Sequence, residues 1–191
     1  MVDLREYLWD AYESEAHGGI IRVPEGTPVD VTDPCYDRDV WCRMQVNLPA
    51  GDYVPFINEC DGRVAASGII TDTFLAHCSG AYFKQVGEVG VDAGLMGFFI
   101  NKPDYPDAEW QELCRAMHKV YEETGEYPKE WETPEGFFTE SGWGDGCYPV
   151  FLITDAKGGP VGVMVVYMDC YTDEDDEEED EEEEEEDEEE E

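Results

Sequence analysis

Three aspartates at turns are the residues of this chain best suited to chemistry. Asp33 precedes Pro34, Asp92 opens the stretch Asp92-Ala93-Gly94, and Asp145 lies inside Ser141-Gly142-Trp143-Gly144-Asp145-Gly146-Cys147-Tyr148-Pro149. If the strand ends that carry them converge, their carboxylates could supply oxygen ligands for magnesium or calcium, or an acid–base pair for a metal-dependent hydrolase. The competing reading is that an aspartate at a turn caps its own backbone, which is a common use of that side chain. Tyr36, Trp143 and Tyr148 stand beside these aspartates and complete the set of candidate binding residues.

Other chemistries fail on spacing. The glycine-rich loop lacks the Gly-Lys-Ser/Thr ending of a phosphate cradle, and it leads into an apolar run that reads as a strand, so no helix N-terminus faces an anion. Ser141 has no glycine two residues before it, which excludes the nucleophile elbow. The cysteines at 35, 42, 60, 78, 114, 147 and 170 form no C-x-x-C pair, and His17, His77 and His118 fall on three separate expected elements. A structural zinc is not expected, and no cofactor is expected beyond a divalent cation at the aspartates.

Charge is the strongest bulk signal. The chain has 191 residues, 49 acidic against 11 basic, and a formal net charge of -38. Residues 173–191 are all Asp or Glu and carry half of that net charge. Like charges in such a run repel and bury nothing, so a disordered tail is expected there, after one domain over residues 1–172. The body is also acidic, and without a basic patch it is not expected to bind nucleic acid directly or to sit on an anionic membrane. A basic protein partner is favoured instead. The start of the chain lacks a basic opening followed by an apolar core, and the odd cysteine count shows no disulfide framework, so a reduced, cytoplasmic protein is expected. The apolar run Val161 to Met168 is far shorter than the ~20 residues a membrane helix needs.

The elements that must position the aspartates read as mostly β. Residues 3–16 predict a helix, with Asp3 and Glu6 at capping-box spacing and Leu4, Leu8, Ala11 and Tyr12 on one face. Short runs then alternate with Pro, Gly, Asn and Asp: Ile20 to Val23, Val29 to Thr32, and Val40 to Leu48 with its period of two. Tyr53 to Ile57 and Arg63 to Ile70 predict a hairpin across Asp61-Gly62. Tyr82 to Val91 and Leu95 to Ile100 flank the Asp92 turn. A second helix is expected over 104–124, capped by Asp104 or Asp107 with Pro106 in its first turn and stopped at Gly125. Glu126 to Pro134 reads as a connector to Phe137-Phe138-Thr139. Cys147 to Thr154 and Val161 to Met168 close the domain as a hairpin whose second strand, apolar nearly throughout, should lie centrally. The expected fold is α+β: mostly antiparallel twisted sheet with two packed helices and an acidic tail. Trp143 is expected to anchor its loop to the core.

Asp33-Pro34-Cys35-Tyr36 with Trp41 close behind, Gly51-Asp52-Tyr53, Gly62-Arg63-Val64, Val91-Asp92-Ala93-Gly94 with an aromatic pair after it, and Ser141-Gly142-Trp143-Gly144-Asp145-Gly146 with Tyr148 recur in this order over residues 28–168. In this the chain resembles the DUF4241-like proteins, small uncharacterised proteins of bacteria and bacteriophages. The resemblance implies a β-rich domain in which the three turn motifs lie near one another, and it implies no reaction. The first helix and the acidic tail lie outside it. The leading functional expectation is a binding module whose acidic surface meets a basic or nucleic-acid-binding protein. The alternative is a metal-dependent hydrolase using Asp33, Asp92 and Asp145, and the residues leave open whether the chain is an enzyme.

Overall fold

A computed structural model describes residues 3–13, 19–37, 43–75 and 80–170. The acidic tail, Trp41, Cys42, His17, His77 and Cys78 lie outside the described residues. The chain opens with α1 (Arg5–Glu13), β1 (Ile21–Val23), β2 (Val29–Thr32) and β3 (Met44–Val46). It continues with β4 (Gly51–Cys60), β5 (Arg63–Ile70), the single turn α2 (Asp72–Leu75), β6 (Tyr82–Val91) and β7 (Leu95–Ile100). The remainder is α3 (Asp107–Thr124), β8 (Glu130–Thr133), β9 (Gly136–Glu140), β10 (Gly146–Thr154) and β11 (Pro160–Val166).

Among the described residues all strand pairs are antiparallel and they form two sheets, β1-β4-β5-β11-β10-β6 and β3-β2-β7-β9-β8. The β4–β5 hairpin closes at Asp61 and Gly62, with φ of 51° and 77°, and both central residues of a primed turn need positive φ. β11 lies between β5 and β10, which is why it can be apolar on both faces. β6 and β7, neighbours in sequence, belong to different sheets. The Asp92-Ala93-Gly94 turn is therefore a corner that carries the chain from one sheet to the other.

The two sheets share the main core. Val29, Val31, Met96, Phe98 and Phe137 from the smaller sheet join Val64, Ile69, Val150 and Met164 from the larger, all 2% exposed or less. Alternation places the neighbouring aromatics on the other face: Phe99 and Phe138 pack with Met117 of α3 in a second, smaller cluster. The doubled phenylalanines on β7 and β9 thus mark a sheet covered on both faces. Phe98 and Phe137 are cross-strand partners whose rings stack at 5.4 Å.

Several local expectations are corrected. The strand expected over 40–48 is confined to Met44–Val46 among the described residues, although Val46 and Leu48 are buried and Gln45 and Asn47 exposed as alternation requires. Neither Asp104 nor Asp107 caps α3; Pro106 occupies the N-cap position with no side-chain hydrogen bond, and its fixed φ already suits that position. The stretch read as a connector contains β8, a four-residue edge strand paired with β9. Tyr7 is fully buried, and its hydroxyl donates to the Met168 carbonyl at 2.6 Å and accepts from the Cys170 N–H at 3.2 Å, tying α1 to the end of the domain.

Candidate functional site

The three turn motifs meet, and they meet through the backbone. Asp33 ends β2 and is fully buried. Its Oδ2 accepts the Asp92 N–H at 2.9 Å and the Ala93 N–H at 2.7 Å, while its Oδ1 accepts the Cys35 N–H at 2.9 Å. Asp145 approaches the same corner from the other side, its Oδ1 accepting the Gly94 N–H at 3.1 Å. Three successive amides of the 92–94 corner are thus divided between two carboxylates. The Gly94 carbonyl accepts the Ser141 N–H at 3.0 Å, which closes the junction between the corner and the glycine loop.

The glycine loop is braced internally. Ser141 is fully buried and its Oγ donates to the Gly144 carbonyl at 2.8 Å; the Tyr148 hydroxyl donates to the same carbonyl at 2.9 Å. The Tyr148 ring meets Tyr167 edge-on at 5.2 Å, and burial pushes both phenols up from their ordinary pKa. At Gly142 φ is 58°, and a Cβ there would stand 2.4 Å from the Val64 carbonyl oxygen, so only glycine lets the loop pass this close to β5.

This bracing corrects the role expected of Trp143. The indole is 63% exposed and lies beneath the Arg63 guanidinium at 5.0 Å, while Arg63 also donates to the Gly142 carbonyl at 3.2 Å. Ser141, Gly142 and Tyr148 hold the loop to the domain, which leaves the tryptophan pointing outward.

The aspartates do not assemble a metal site. Among the described residues no group of three or more His, Cys, Asp or Glu side chains is arranged to hold an ion. The bonds above give a physical reason: both Asp33 oxygens and Oδ1 of Asp145 already accept backbone N–H groups, and Asp92 enters the junction through its amide. Cys35 offers no nucleophile either. Burial first, and then its hydrogen bond to Asp33, pushes its thiol well above the ordinary range, whereas a reactive cysteine needs the opposite shift. The five cysteines within the described residues are all free.

Residues on the other side of the Asp33 turn went unsignalled. Asp30, 1% exposed, accepts from the Arg43 Nε at 3.0 Å and the Gln45 Nε2 at 2.9 Å through Oδ1, and from the Lys102 N–H at 3.2 Å through Oδ2. Lys102 is equally buried; its Nζ donates to the carbonyls of Tyr36 at 2.6 Å and Pro103 at 3.0 Å and lies 5.0 Å from the centre of the Tyr105 ring. Burial lowers its pKa from the ordinary lysine value. Tyr36 therefore serves the site through its carbonyl, and Lys102 fixes the far end of the turn whose near end Asp33 holds. The available signal was cross-strand complementarity, since Asp30 pairs in register with Gln45, two residues from Arg43.

The fold and site together define a two-sheet antiparallel domain that presents a braced, tryptophan-tipped loop. No family model matches this chain, and neither a curated protein nor a solved structure matches it. Among the described residues, no helix is long and apolar enough to cross a membrane.

Proposed function

We propose that this chain is a cytoplasmic interaction module whose acidic surface and tryptophan-tipped loop engage a basic protein, such as one that itself binds nucleic acid. Kinship with the DUF4241-like proteins belongs to the same proposal and adds no reaction to it. The observation that carries the reading is Trp143, a large aromatic 63% exposed on a loop pinned at Ser141, Gly142 and Tyr148. A rigid, exposed tryptophan loses little conformational freedom on binding and suits a hot spot. Arg63 shows that this indole accepts a guanidinium, and the surplus of 38 negative charges draws cationic surfaces toward it.

The test is capture from a bacterial lysate at low and high salt, using the full chain, a form lacking residues 173–191, and Trp143→Ala in each. The expected result is one basic protein, identified by mass, retained by both lengths, released by salt and lost with Trp143→Ala. Capture that depends on the tail alone, or that ignores Trp143, overturns the reading.

A further inference from the structure

A second surface lies at the opposite end of β9 from the tryptophan loop. Between α3 and β8 runs an open groove of about 340 Å³ with an apolar floor that includes Leu113 and Trp131. Glu109 and Glu112 stand on its α3 wall, and Glu135 stands opposite them in the turn after β8. No Lys or Arg is among the described residues that line it. The Glu132 carboxylate belongs to the other face of β8, where one of its oxygens accepts the Gly19 N–H. Glu109 and Glu112 are exposed and Glu135 is half-buried.

We propose that this groove receives an arginine side chain from a basic peptide segment of a partner protein, as a binding site separate from the Trp143 loop. Charge complementarity selects the occupant. An apolar floor alone would take any hydrophobe, but carboxylates on both walls penalise a bare apolar group and attract one that ends in a cation. Arginine meets both demands, because its aliphatic stem lies along Leu113 while its planar guanidinium stacks on Trp131 and donates to carboxylates on either side. Lysine fits the charge but not the planar stacking. The neighbouring Tyr105 ring already has the Lys102 ammonium 5.0 Å from its centre, so the aromatic lining of this region is compatible with a cation. The glycine loop begins just past Glu140, and the groove lies by Gly136, at the other end of that strand.

The experiment follows the indole N–H resonances of the full chain by NMR during titration with acetyl-Gly-Arg-Leu-Arg-Gly-amide, and with the same peptide carrying citrulline in place of each arginine, at physiological salt. Citrulline keeps the shape and removes the charge. Saturable movement of the Trp131 resonance with the arginine peptide and not with citrulline is expected. The double variant Glu112→Gln, Glu135→Gln should then weaken binding about three- to tenfold, the sum of two partly exposed charge contacts. Equal movement with both peptides overturns the proposal, as does a stationary Trp131. A double variant that binds as tightly as the parent overturns it too, and those surface substitutions leave the core untouched. The Trp143 resonance reports the other site in the same spectra, so failure at one is distinguished from failure at the other.

Discussion

Asp33 and Asp145 grip the same corner from opposite sides, and they differ in burial. Asp33, itself fully buried, takes the Asp92 and Ala93 amides in part-buried bonds; Asp145 takes the Gly94 amide while remaining exposed. Both look alike as letters beside a turn. In the folded chain one holds two sheets at their shared corner, and the other steadies a surface loop. The comparison shows why carboxylates that converge need not bind metal: a carboxylate satisfied by backbone donors has already replaced its hydration, and a cation would have to displace those donors.

The largest expected effect breaks the comparison at its buried end. Asp33→Ala removes the acceptor of the Asp92, Ala93 and Cys35 amides in a part-buried setting, and should cost about 2–4 kcal/mol of stability. Urea unfolding would show it as a lowered midpoint at unchanged slope. Asp145→Ala removes one hydrogen bond that water can replace, and should cost only about 0.5–1.5 kcal/mol by the same measurement. If the two losses were equal, burial would not be what distinguishes these carboxylates.

Cys35 sharpens the difference through pH. Its thiol is pushed up from 9.0 by burial and by the adjacent Asp33 carboxylate, so the folded chain holds the proton where the unfolded chain releases it. The contribution is fully present below pH 9.0 and is lost as pH rises through the folded value. The alkaline loss of stability should therefore be shallower in Cys35→Ala than in the parent. Because the thiol is only half-buried, the difference at about pH 10 should be under about 1 kcal/mol. Denaturation midpoints at neutral pH and near pH 10 measure it.

Much of the fold was legible in local grammar. The Asp61-Gly62 hairpin, the central place of β11 and the stop of α3 at Gly125 each follow from residue types that leave the backbone few choices. What stayed hidden depends on partners distant in sequence. The assignment of β6 and β7 to different sheets turns on where the corner at Asp92 is held, and that is decided by Asp33, about sixty positions earlier. The burial of Asp30 gave no signal because Arg43, Gln45 and Lys102 are brought over it only by the tertiary fold. The convergence of the turns was implied by the resemblance, and the backbone bonds of Asp33 and Asp145 agree with the competing reading of aspartate as a turn former, but the role of Trp143 was inverted: the residue read as an anchor is the exposed tip.

That inversion makes Trp143→Ala the smallest expected effect on stability and the sharpest probe of the comparison. The indole is 63% exposed and its ring meets Arg63, itself a surface residue, so its removal takes little apolar area out of the core. Unfolding free energy should change by less than about 0.5 kcal/mol, the usual range for a surface position. The loop should keep its shape, because Ser141, Tyr148 and Asp145 hold it without the indole. Amide hydrogen exchange at Gly94, whose N–H bonds to Asp145, measures that directly and should be unchanged in Trp143→Ala but faster in Asp145→Ala. Faster exchange at Gly94 in the tryptophan variant would mean that the indole supports the loop after all, and its exposure would then be no argument for a partner.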